Sequence, residues 1–268
     1  MSGEALPAAP PPGWDAGYRP LPDAPDEYIG PDGRVRAPWR RFFALLGRQD
    51  IEGSIAAADR HIRDMGISYR VHGEAQERSW PLARLPLLID EAEWRGIAAG
   101  VIQRARLFEA LLEDLYGEAQ LITEGALPAA VVAGSPDYLR PLVGVKPRDG
   151  RWLHLYAADL GRGPDGRWWV LGDRTQAPSG AGYALENRLV MSRAFPTLAR
   201  DMNVLRLAPF FRAFRAGLAA GAERMQPRIC LLTPGPLSET YFEQAYLARY
   251  LGLLLVEGDD LVVHDGRA

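Results

Sequence analysis

Residues 151–188 read RWLHLYAADLGRGPDGRWWVLGDRTQAPSGAGYALENR, and the fold turns on how they are read. RWLHLYAADL predicts one strand and GRWWVLGD the next. The Pro-Asp-Gly between them is a strong turn signal, so the two should form a hairpin. Pro178-Ser179-Gly180 then turns the chain into a helix expected over about 182–194 and stopped by Pro196. Pairing across the turn puts Asp159 and Asp173 at the same end of the hairpin. Two carboxylates on neighbouring strands can share a divalent ion, because magnesium takes one or two of them together with phosphate oxygens. Acids that only cap strand ends facing water give the same pattern. Arg174, next to a helix start with exposed N–H groups, suits a phosphate or carboxylate. A plain strand-to-helix corner needs the same Pro-Ser-Gly turn. Of Glu186, Asn187 and Arg188, on the first turns of the helix, one or two are expected to face Asp173.

Working outward, RICLL, the turn TPGP, the helix SETYFEQAYLARY and the strand LLLVEG predict a C-terminal βαβ unit. Thr233–Pro236 lies where open α/β sheets place ligands. Its two prolines leave few donors, so Gly235 and Ser238 are the candidate contacts. Ser238 also suits the helix N-cap, with Glu239 and Glu243 early in the helix. Asp90-Glu91-Ala92-Glu93 opens a long helix whose stripe Trp94, Ile97, Val101, Leu107 and Leu111 is expected to be core. Residues 37–65 predict two helices, and ISYRV a short strand with WPL following a polar turn. Residues 1–36, rich in Pro, Gly and Asp, read as an extended or disordered arm anchored at Trp14, Tyr18 and Tyr28. The expected organisation is α/β with α+β elements. It comprises the arm, a mainly helical region 37–140, a sheet segment 141–204, and a helix plus βαβ unit over 205–268. LVVH before an Asp-Gly turn predicts a hairpin without its return strand, so the fold is expected to be incomplete at residue 268.

The 268 residues carry 31 basic and 34 acidic side chains, a net charge of -3. That balance argues against a nucleic-acid surface spread over the chain. Cys230 is the single cysteine, which excludes an internal disulfide, and it is expected as a small buried hydrophobe. His61, His72, His154 and His264 lack zinc-ligand spacing. The N-terminus has no signal-peptide pattern and no stretch suits a bilayer, so a cytoplasmic protein off the membrane is expected. Walker-A and GxSxG signatures are absent.

These long segments, with LLTPGPLSETYFEQAYLARYLG, LVEGDDLVV, DEYIGPDGRVRAPWR and LLEDLYGE, resemble the circularly permuted ATP-grasp type 2 family, related to glutathionylspermidine-synthase-like ligases. The resemblance covers residues 26–268. It implies ATP and Mg2+ as cofactors and a small carboxylate and an amine as substrates, joined through an acyl phosphate. It also implies that the adenine pocket lies further along the family's chain, or that a protein partner completes the site. Family metal ligands come from an Asp on one strand and a Glu-x-Asn pattern on the next. Asp159 matches the first, with Asp173 beside it. At the second, relatives read VLEDN where this chain reads VLGDR, so Gly172 and Arg174 replace two ligands. The resemblance thus assigns Asp159 and Asp173 to the metal and Arg174 and Arg188 to catalysis. Ser179, Gly180, Asn187 and Gly235 are assigned to the cofactor. A non-catalytic binding or assembly module built on the same fold is the alternative.

Overall fold

The computed structural model describes residues 17–22, 24–71, 73–74, 76–163 and 165–264. Trp14, His72, Pro164 of the hairpin turn and the Asp265-Gly266 turn lie outside the described residues. Helix α1 (Ala37–Leu46) starts on Pro38, whose fixed φ suits a first turn. Trp39, Phe42, Phe43 and Leu46 recur at helical spacing and are buried against Phe195 and Leu198. The arm docks here: Tyr28 meets the rings of Trp39 and Phe43 edge-on at 5.9 and 5.7 Å. Helix α2 (Ile51–Asp64) is capped by Asp50, which accepts from the Gly53 N–H at 3.0 Å.

Strands β1 (Ser68–Arg70) and β2 (Glu77–Ser79) pair antiparallel. The second strand lies on the polar Glu-Arg-Ser stretch rather than on Trp-Pro-Leu. Trp80 gives one last N–H to the Ile67 carbonyl at 3.0 Å, and its ring stacks 4.0 Å from Tyr183. Helix α3 (Glu91–Leu115) begins at Asp90 as expected. Its apolar stripe is not core: only Ile97 is buried, while Trp94 and Leu107 are 46% and 63% exposed. Polar side chains of this helix make its attachments instead. Short helices α4 (Gln120–Thr123) and α5 (Ala129–Ala133) follow.

The hairpin is β3 (Ala157–Arg162) with β4 (Trp168–Arg174), antiparallel. Residues 151–156 stay out of the strand because the Trp152 and Leu153 N–H groups donate to the Glu109 carboxylate at 2.6 and 2.9 Å. Helices α6 (Ala181–Ala194), α7 (Pro196–Asp201) and α8 (Ala208–Ala220) come next. Then β5 (Cys230–Leu232), α9 (Tyr241–Leu251) and β6 (Leu254–Val256) form the βαβ unit, its strands parallel. Helices with small strand pairs give the α/β organisation expected. Cys230 is exposed, not buried, because a two-stranded sheet leaves one face open. Ser238 is not the N-cap either. Its N–H closes a turn onto the Gly235 carbonyl, and the helix starts three residues later.

Candidate functional site

Residues directly opposite in an antiparallel pair share a face, and successive rungs alternate faces. Asp159 stands opposite Gly172, Ala158 opposite Asp173, and Ala157 opposite Arg174. Asp159 and Asp173 therefore meet at the same end of the hairpin but point to opposite faces. A register shift beside Asp159 leaves Leu171 as the extra residue of a bulge.

Each aspartate has its own guanidinium. On the helix-facing side, Arg104 of α3 forks onto Asp173, its Nε at 2.9 Å from one oxygen and a terminal nitrogen on the other. The Tyr156 hydroxyl donates to the same carboxylate. These donors hold the Asp173 carboxyl below the usual range, Arg104 contributing most. Burial, then the bond to Asp173, pushes the Tyr156 hydroxyl up. On the open face, Arg174 approaches Asp159 at 2.9–3.3 Å. Both side chains there are exposed.

Beyond β4 the loop from Asp173 to Ser179 lines a recess of about 290 Å3. Within it Ala177 is left-handed, with φ 39°, a strained state for a residue with a Cβ and one found often at functional loops. Gly180 follows as the N-cap of α6, at φ 109°. The anion expected at this helix start is internal. Glu243 of α9, buried, accepts from the Gly180 N–H at 2.6 and 2.8 Å and from the Gly182 N–H at 2.8 Å. The dipole end of α6 is thereby occupied.

The remaining expected site residues lie elsewhere. The Asn187 side-chain oxygen accepts from the Trp80 indole at 2.7 Å. Arg188 donates to the Leu205 carbonyl at 2.7 Å, and burial lowers its guanidinium pKa. Glu186 is buried beside His61, 3.0 Å away. Gly235 gives its N–H to the Thr233 hydroxyl at 3.0 Å, and a Cβ there would stand 3.2 Å from the Glu257 carboxylate. The fold gathers Asp173, Arg174 and Ser179 around the recess, with Gly180 filled by Glu243 and Asp159 on the open face. Sequence reasoning missed Arg104, Tyr156 and the reach of Glu243. The separations of 69 and 63 residues carry no local signal. For Glu243 a hint exists: it shares a helix face with Tyr246 and Leu247, an odd place for an acid.

A family model described as circularly permuted ATP-grasp type 2 matches residues 86–268. An uncharacterized protein of Mycobacterium tuberculosis is 38% identical over 257 residues, 90% of this chain and 29% of that protein. A second uncharacterized protein of the same species is 34% identical over 249 residues, 90% of this chain and 44% of the relative. An uncharacterized Synechocystis protein is 36% identical over 207 residues, 76% and 43% of the two chains. The chain thus spans less than half the length of these relatives.

Proposed function

This chain belongs to the circularly permuted ATP-grasp type 2 family, and from that premise we propose that it works in an ATP-dependent, cytoplasmic ligase-like protein. In this reading the protein activates a small carboxylate as an acyl phosphate, which an amine attacks, as in glutathionylspermidine-synthase-like ligases. The observation that carries the reading is the recess at the end of the hairpin, lined by Asp173, Arg174, Thr175 and Ser179 among others. Phosphoryl transfer depends on positioning and on neutralising oxygen charge, and a guanidinium with hydroxyl donors does both. Arg174 would hold the phosphate oxygens, while the Arg104–Asp173–Tyr156 cluster would fix the strand end that carries it. Magnesium, which the family implies, does not fit these residues, and no step is assigned to it. Among the described residues no three His, Cys, Asp or Glu side chains converge, and no helix is long and apolar enough to cross a membrane.

A second reading, a non-catalytic binding or assembly module acting with a protein partner, is favoured by one feature. The α6 N-terminus, the obvious phosphate seat, is closed by Glu243. ADP release measured with ATP and panels of small carboxylates and amines separates the two. Release stimulated by a carboxylate–amine pair supports the ligase. Absence of both ATP binding and stimulated release removes it and leaves the module.

A further inference from the structure

At this end of the hairpin the open face carries a guanidinium, Arg174, and a glycine, Gly172, beside Asp159. We infer that this corner works without a divalent cation, with Arg174 supplying its positive charge and the recess taking a phosphate-type oxyanion directly. The inference rests on the proposal that the recess faces a polyphosphate.

Magnesium demands oxygens converging in near-octahedral geometry. On the open face Asp159 is the one carboxylate that the paired residues of β3 and β4 supply at this end of the hairpin. Its cross-strand neighbour Gly172 has no side chain. A Cβ built there would stand 3.4 Å from an Asp159 oxygen, an ordinary contact. Position 172 is therefore where a second ligand would converge with Asp159, and it is vacant of oxygen. Two residues along the same face, a guanidinium sits 2.9 Å from the Asp159 carboxylate and would repel a cation. Asp173 cannot substitute. It points to the other face, where Arg104 and Tyr156 already donate three hydrogen bonds to it.

Arg174 meanwhile suits an anion. Its ion pair with Asp159 is exposed and of the kind that contributes little, so an incoming oxyanion competes for it at small cost. Nε and one terminal nitrogen engage Asp159, the planar fork has further donors, and Arg174 lines the recess. Thr175 and Ser179 line the same space.

The test is titration calorimetry of tripolyphosphate into the 268-residue protein, in EDTA and in Mg2+. Binding is expected in EDTA, weakened about tenfold or more by Arg174→Ala and less by Arg174→Lys, with circular dichroism unchanged. Binding that appears only with Mg2+ overturns the inference while leaving the polyphosphate recess standing. No binding under either condition overturns both. A second arm uses Tb3+ luminescence sensitised by Trp168 and Trp169. The unaltered protein is expected to be silent, and the Gly172→Glu/Arg174→Asn double variant to gain emission that Mg2+ displaces. Emission from the unaltered protein that Mg2+ displaces, or a silent double variant, contradicts the charge-exchange argument.

Discussion

Glu243 illustrates how one buried charge ties two parts of the chain together. Its carboxylate lies under the first turn of α6 and takes the N–H groups that a helix start leaves without partners. Gly182 permits this approach, since a Cβ there would meet the Glu243 side chain at 2.8 Å. Glu243→Ala strands those donors and opens a void, so urea unfolding should show a loss of about 2–4 kcal/mol. Glu243→Gln should lose less, because one oxygen still accepts while its amide faces the Gly180 N–H. Gly182→Ala should also lower the urea midpoint. An unchanged midpoint in all three variants would mean that the contact contributes nothing net.

Between elements, the hairpin is held to α3 by polar contacts more than by apolar packing. Arg104 grips Asp173, and Glu109 takes two N–H groups before β3. Arg162, nearly buried, pairs with Glu93 and Glu27 and lies 4.5 Å over the Trp168 ring. Arg162 holds the Glu93 carboxyl below its usual range, as Arg104 does for Asp173. A carboxyl depressed in the folded state contributes stability that is present above its unfolded pKa, about 4. That contribution is lost as pH falls through the lower folded value. Hydrogen exchange in acid should therefore open the α3–hairpin junction before the helical clusters, and Arg104→Gln should remove the Asp173 share of this sensitivity. Simultaneous opening of all elements would contradict it. The hairpin and the start of α3 were legible because their signals are local: a Pro-Asp-Gly turn and an Asp90 cap. The exposed stripe of α3 was not, since periodicity says which residues share a face and not what covers it. Nor was the divergence of Asp159 and Asp173, which a single step of register decides.

At the scale of the whole molecule, α6 is the element that all three apolar clusters share. Met191 and Ala194 pack on the α1–α7 cluster, Tyr183 and Val190 lie in the α2 cluster, and Leu185 joins Phe211, Tyr246 and Leu251. Loss of one cluster should therefore weaken the others through this helix. Tyr183 of α6 and Tyr246 of α9 set hydroxyls into two of these clusters. Tyr183 stacks on Trp80, donates its hydroxyl to the Ser68 carbonyl at 2.8 Å, and has its pKa pushed up to about 12, mainly by burial. Burial, followed by a hydrogen bond to Glu186, raises Tyr246 as well. A raised folded pKa contributes stability that is complete below the unfolded value, about 10. The contribution disappears as pH rises toward the folded value. The urea midpoint should thus hold level to about pH 10 and fall steeply toward about pH 12. Tyr183→Phe should start about 1 kcal/mol lower, because the Ser68 carbonyl loses its donor, yet fall less across the same window. A midpoint level through that range would show that the two hydroxyls ionise without reference to the fold.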